Sequence, residues 1–328
     1  GEARIHGEAQ TRGIEVQALP VARKNLKGLL ALRRALSQLN PDVIVTHSST
    51  DSWLSALATS FGPVAPPLVR IRHISAPVSR NLASRWLYGS AAARVVTTGE
   101  SLREALIDSL GLSPSAVVSI PTGIDLKRFA PRDRFEVRRQ LGLVEQGAIV
   151  GIVATLRSWK GHRYLLEAFG GVSDSDVRLV IVGDGPGRDN LHRQAEELGI
   201  ADRVIMTGNQ RDVAPWLSAL DVFALPSYAN EGVPQALMQA QASGLPVIST
   251  PVGAIPEIVV DGLTGLLVPP RDVNALRDAL ERLLGDSELR GRLGAAGLTQ
   301  ARERYSDEVM INRMEAVLSD VLDQQRGA

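Results

Sequence analysis

The stretch DVFALPSYANEGVPQALMQAQASGLPVIST, residues 221–250, decides the fold. It opens on an apolar strand, DVFALPS (221–227), crosses a loop with an acidic residue, a glycine and a proline, continues as a helical pattern and closes on a second strand, PVIST (246–250). Strand, crossover helix and strand form the unit of a parallel sheet, whose strands are buried on both faces and therefore read as continuous apolar runs. The same alternation extends outward. AIVGIVAT (148–155), VRLVIVG (177–183) and RVIMTG (203–208) precede the stretch, and TGLLVP (264–269) follows it. The first half offers IEVQAL (14–19), DVIVTHS (42–48), LVRIRHI (68–74), ARVVTT (93–98) and VVSIPT (117–122), with the helical pattern LKGLLALRRALSQL starting at Leu26. The expectation is two successive doubly wound α/β units over residues 1–140 and 141–305, and an amphipathic helix, DEVMINRMEAVLSDVL onward, over 306–328. Their seam is placed at 130–147, APRDRFEVRRQLGLVEQG, which is polar and carries no strand pattern.

A length of 328 residues suits two domains, each with its own core. The 36 Lys and Arg balance 36 Asp and Glu, which argues against a nucleic-acid partner. Zero cysteines exclude disulfide frameworks, thiolate catalysis and Cys-based metal sites. No apolar run reaches the roughly 18–20 residues of a membrane span, and GEARIHGEAQ lacks the apolar core of a signal peptide. A soluble cytoplasmic protein is expected. The chain begins with a helix-like segment where a doubly wound unit would have its first strand, so an amino-terminal β-α-β piece is expected to be absent.

Charge is uneven: residues 1–140 hold 19 Lys and Arg against 11 Asp and Glu. Arg70, Arg72, Arg80, Arg85 and Arg94, with Leu82, Trp86 and Leu87 in SRNLASRWLYGSA (79–91), predict peripheral contact with an anionic membrane. The competing reading packs those apolar residues on the sheet.

Ligands of open α/β sheets bind beyond the carboxyl ends of strands. Four such places carry chemistry. Glu231 sits on a tight loop ahead of a helix start, where the N–H groups of Gly232, Val233 and Gln235, flanking Pro234, suit an anion. Gln239 lies two helical turns in. In LRSWKGH (156–162), Arg157 and Lys160 are either solvated cations or neutralise a diphosphate. In IVGDGPGRDNL (181–191), Gly183 and Gly185 fit a dinucleotide fingerprint, but Arg188 occupies its last glycine position, so the loop reads as a tight turn that lets the backbone approach a ligand. In THSST (46–50), His47 ends a strand and is either structural or an active-site group; His73, His162 and His192 have weaker cases.

Assembled in this order, the chain resembles the family 4 glycosyltransferases, retaining enzymes of the GT-B fold with two facing Rossmann-like domains. The resemblance runs from the His47 strand through PTGID (121–125), the KG loop, VGDGP and EGVPQAL to VGAIPEIVVDGLTGLLVPP (252–270). By position, Glu231 matches the first glutamate of the family's Glu-x7-Glu motif and Gln239 stands in place of the second. Ala154-Thr155 replace the usual Gly-Arg, which leaves Arg157 as the guanidinium for phosphate; Lys160 matches directly, and His47 resembles the acceptor domain's histidine.

The resemblance implies transfer of a sugar from a nucleoside diphosphate sugar to an acceptor hydroxyl, with no metal or other cofactor. Arg157 and Lys160 would stabilise the departing diphosphate and Glu231 would orient sugar hydroxyls. Gly183, Asp184, Gly185, Asn209, Gly232, Val233, Pro234, Gln235 and Gln239 would line the donor. It further implies a glycan or lipid-linked acceptor, a role in bacterial cell-surface glycan or glycolipid synthesis, and a last helix returning to the first domain. The competing functions are a nucleotide-sugar 2-epimerase of the same fold and a non-catalytic nucleotide-sugar-binding protein.

Overall fold

The computed structural model describes residues 4–21, 25–60, 65–73, 76–229 and 231–327. Two parallel sheets organise them, as the alternation of strand and helix patterns predicts. The first contains β1 (Ile44–Thr46), β2 (Leu68–Arg72), β3 (Arg94–Thr97) and β4 (Val117–Ser119), side by side in chain order. The second contains β5 (Ile149–Val153), β6 (Arg178–Val182), β7 (Val204–Gly208), β8 (Val222–Leu225), β9 (Val247–Ser249) and β10 (Leu266–Leu267), in the order β10-β9-β8-β5-β6-β7. Here the winding reverses between β5 and β8. The loops leaving those two neighbouring strands diverge and open a crevice at the carboxyl edge.

The second sheet is closed by apolar side chains on both faces, with Ile149, Ile152, Leu179, Val180, Phe223 and Ile248 almost wholly buried. Its entrance is fastened by helix Arg134–Leu141, which Asp133 caps through the N–H groups of Phe135 and Glu136. Arg138 on this helix is 1% exposed. Its Nε donates to Ala219 O, its Nη1 to the carbonyls of Glu145 and Gly147, and its Nη2 to Asp221 Oδ2 at 2.6 Å. Asp221 Oδ2 also accepts from Ile149 N, and its other oxygen meets Arg134. Ile124, Phe129, Val137 and Leu143 already pack in this core. The second unit therefore starts near Ile124, ahead of the boundary expected at 140, because the polar seam hides a helix anchored by a buried ion pair.

In the first unit helix Leu26–Leu39 forms as its periodicity predicts, with Asn25 at its start and Asn40 in the left-handed region at its end. Residues 14–19, expected as a strand, have no regular structure and are mostly exposed. No described strand pairs with the outer edge of β1, and an extended segment without a ladder partner gains nothing over solvent. Helix Asp307–Arg326 crosses to this unit: Met310, Met314, Val317, Leu318 and Val321 cover Val69, Val96 and Ile120. On the opposite face, residues 79–91 form a helical turn, Leu82–Arg85, and a π-helical turn, Trp86–Ser90, that buries Leu87 and Tyr88.

Much of the basic set read as a membrane face is turned inward. Arg70 and Arg72 are buried, Arg94 pairs with Asp320 at 2.5 Å, and Trp86 packs against Trp53. Only Arg80, Leu82 and Arg85 of that set stay well exposed. Among the described residues, no helix is long and apolar enough to cross a membrane.

Candidate active site

The reversal of strand order brings together two loops that are distant in sequence. After β5, the turn Ser158–Lys160 ends at Gly161 with φ 79°. A Cβ there would lie 2.0 Å from the carbonyl oxygen of Pro226, so only glycine lets this loop rest on the loop leaving β8. Tyr228 N donates to Trp159 O across the same contact. In consequence Lys160 Nζ reaches Glu231 Oε1 at 2.7 Å. Ser227 Oγ donates to the same oxygen at 2.5 Å, and the Thr250 hydroxyl holds the Ser227 carbonyl. Behind Glu231, Gly253 at φ 59° is required, since a Cβ would stand 2.0 Å from the Glu231 carbonyl oxygen.

Glu231 is 5% exposed. Its Oε1 takes two donors, and its Oε2 accepts no hydrogen bond among the described residues. Glu231 borders a cavity of about 170 Å³ between the two units, walled by Thr98, Gly99 and Ser101 from the first and Gly232, Val233 and Gly253 from the second. Helix Gln235–Ala242 starts at Pro234 without a side-chain cap, leaving N–H groups free. Gln235 is exposed and Gln239 half-buried on this helix; Asn209 is exposed just after β7.

Other expected members lie elsewhere. The Arg157 guanidinium sits 5.7 Å from the Trp159 ring centre and lines, with His162 and Asn190, a separate cavity of about 670 Å³ that includes neither Lys160 nor Glu231. Gly183 and Gly185 make room for the β5 exit loop. Their Cβ atoms would fall 2.0 Å from Ala154 O and 2.9 Å from Leu156 N, and Leu156 N donates to Asp184 O. The Asp184 carboxylate accepts from Gly185 N and stands 4.0 Å from Arg188. His162 is buried with neither ring nitrogen partnered, and burial, aided by Lys160, pushes its pKa down to about 4.

Across the cleft, His47 Nδ1 lies 3.0 Å from His73 Nε2, the rings stacked 5.3 Å apart. Burial, then His47, lowers the pKa of His73. The His73 carbonyl lies 3.7 Å from where a Cβ on Gly232 would be, so the backbone that carries His73 borders the Glu231 loop. The strand-end rule that marks His47 marks His73 equally, at the end of LVRIRHI. Glu257 also acts across the units. Its carboxylate accepts from Glu100 N at 2.7 Å, Ser101 N at 2.8 Å and the Ser101 hydroxyl, capping helix Glu100–Leu110 of the first unit.

Residues 133–300 match the family profile described as glycosyl transferases group 1, and residues 4–128 match glycosyltransferase family 4. The D-inositol 3-phosphate glycosyltransferase of Corynebacterium aurimucosum is 30% identical over 338 residues, covering 94% of this chain and 79% of that protein. A glycosyltransferase from Rickettsia africae superposes with a TM-score of 0.85 at 18% identity, over 98% of this chain and 88% of the other. Anabaena HepE in complex with UDP-glucose superposes with a TM-score of 0.82 at 22% identity, over 98% and 90%. The two solved structures share the fold, two facing α/β units of GT-B type. With its two halves matched in order by the two family profiles, the chain belongs to the family 4, group 1 glycosyltransferases.

Proposed function

We propose that the chain moves a sugar from a nucleoside diphosphate sugar, held by the second unit, to a hydroxyl of a glycan or lipid-linked acceptor held by the first, with retained anomeric configuration. The Lys160–Glu231 contact at the strand-order reversal carries this reading. Glu231 Oε1 is occupied by an ammonium and a hydroxyl, so the carboxylate is suited to orient sugar hydroxyls through Oε2 and poorly suited to attack carbon. As the bond from the sugar to the diphosphate breaks, negative charge grows on the leaving oxygen. Lys160 and the uncapped start of helix Gln235–Ala242 stabilise that charge. The leaving phosphate takes the acceptor proton on the face where the new bond forms. Gln239, half-buried on the same helix, hydrogen-bonds a ribose hydroxyl, and His47 with His73 forms the acceptor wall. The UDP-glucose held by Anabaena HepE in the same fold supports the donor class.

Thermal unfolding with UDP, GDP and ADP, followed by product analysis with labelled donor, tests the proposal. Glu231→Gln should lower turnover about 10²–10³-fold with diphosphate affinity near wild type, whereas Lys160→Ala should weaken both. Equal losses of diphosphate affinity in the two variants would reverse their roles. A wild-type chain blind to every nucleotide would overturn the donor class.

A further inference from the structure

The chain passes between the two units twice, and the two crossings are bound to each other. Ile124 N donates to Tyr305 O at 2.7 Å, and Asp307 N donates to Ile124 O at 3.1 Å. A Cβ on Gly123 would stand 2.5 Å from Asp307 Cα, so glycine lets the crossings touch. A joint of two short crossings at one place leaves the units free to turn about it unless something else fastens them. Away from this joint, the hydrogen bonds between the units among the described residues are the three that Glu257 accepts, from Glu100 N, Ser101 N and the Ser101 hydroxyl.

Helix Glu100–Leu110 has no side-chain cap of its own, because the residue before it is Gly99. The φ of Gly99 is −156°, which any residue adopts, so it is space that requires glycine here. A Cβ would lie 2.7 Å from Val233 Cγ2, 3.2 Å from Glu257 Oε2 and 3.3 Å from Ala254 Cβ, all in the second unit. A Ser, Thr, Asp or Asn that capped the helix from within would therefore hold the units apart. The Glu100 carboxylate is turned to Arg103 at 2.6 Å and leaves the helix start to Glu257. A carboxylate suits that start, since it meets unpaired N–H groups and the positive end of the helix. Glu257 is itself held from behind: its carbonyl accepts from the Tyr305 hydroxyl at 2.8 Å, beside the joint. The contact closes the cavity that Glu231 borders, whose walls include Gly99 and Ser101.

We propose that Glu257 is the latch of the cleft. It is a positioning residue that holds the first unit over the Glu231 loop while its carboxylate engages the start of helix Glu100–Leu110, and it lets go when the units turn apart about residues 123–124 and 305–307. The consequence for sugar transfer rests on the glycosyltransferase reading above; the latch itself does not.

The test is small-angle X-ray scattering of the full chain, read beside thermal unfolding with UDP, GDP and ADP and sugar-transfer kinetics. Glu257→Ala should raise the radius of gyration by about 1 Å, as opening of a cleft between two units does. It should cut kcat about tenfold or more through lost positioning. Nucleotide affinity should stay within about twofold of wild type, because Lys160 and the helix start at Gln235 lie wholly in the second unit. Glu257→Gln retains an acceptor without the charge and should fall between the two. Ser101→Pro, made in the other unit, removes two of the three donors and breaks no bond within the helix, whose first N–H groups have no internal partner. It should reproduce both effects, and the double variant with Glu257→Ala should lose no more kcat than the worse single one. An unchanged radius of gyration in Glu257→Ala and Ser101→Pro, or additive losses in the double variant, overturns the latch. A wider molecule that transfers sugar at the wild-type rate overturns its positioning role. If wild type transfers sugar from no donor while both variants scatter as wider molecules, the glycosyltransferase reading falls and the latch stands.

Discussion

Arg138 in the second unit and Arg70 in the first are both buried guanidinium groups, and their surroundings differ. Every nitrogen of Arg138 has an acceptor, with Asp221 balancing the charge. Arg70 keeps two nitrogens without one among the described residues. The sheets differ in a parallel way. The second reverses its strand order at β5 and β8, and Lys160, Ser227 and Glu231 meet where the exit loops part. The first runs in one direction across its four described strands, and at its carboxyl edge His47 meets His73 while Arg72 turns to Tyr88 and the Ala76 carbonyl. The difference teaches where each unit is finished. Among the described residues the second unit supplies a counter-ion for its buried arginine and an ammonium for its buried glutamate, whereas the first leaves three arginine nitrogens at its carboxyl edge without a partner.

The largest effect that would sharpen this contrast is on stability. Asp221→Ala leaves Arg138 charged, buried and short of its counter-ion and also strips Ile149 N, so denaturant unfolding should show a loss of about 3–5 kcal/mol. Arg70→Met should lose less than about 1 kcal/mol or gain. Similar losses in the two variants would erase the distinction between a compensated and an uncompensated arginine.

Acid comes next. The folded pKa of His162 is pushed from 6.5 to about 4, so as pH falls the unfolded chain takes up the proton first. The associated stability is fully present above about pH 6.5 and is lost progressively toward pH 4, amounting to about 3 kcal/mol. His162→Met should flatten that part of the stability profile. His73 shifts in the same direction but is exposed. A profile that His73→Gln flattens more than His162→Met would place the acid-sensitive element in the first unit.

Smaller effects separate the two walls of the cleft. Ser227→Ala removes one of two donors that hold Glu231 Oε1 and should cut kcat about tenfold with little change in donor KM, while Ser227→Thr retains most activity. His73→Gln should act chiefly on acceptor KM. If Ser227→Ala moves only acceptor KM, the division of labour between the units is wrong. The smallest effect concerns membranes: with Arg70, Arg72 and Arg94 off the free surface, sedimentation with anionic vesicles at about 0.15 M salt should be slight, and Arg80→Glu with Arg85→Glu should change it less than about twofold. Strong salt-sensitive binding would restore the basic first half as a lipid-facing surface.

Local spacing by itself determined the parallel-sheet class, helix Leu26–Leu39, the positions of Lys160 and Glu231 just past their strands, and the family resemblance, because periodicity and turn residues act over a few residues at a time. It did not determine which strands are neighbours. Only the order β5 beside β8 makes Lys160 the partner of a glutamate 71 residues away, and only β5 beside β6 turns the glycines at 183 and 185 against Ala154 and Leu156 and leaves Arg157 facing a different cavity. The same holds for residues 14–19, whose strand pattern joins neither described sheet, for Arg138, whose polar helix reads as a linker until Asp221 is seen beside it, and for His73, which is one histidine among five until β1 and β2 lie side by side. Burial pattern states which face of a strand is inside. Which strand lies next to it is a long-range pairing, decided only when the chain has closed on itself.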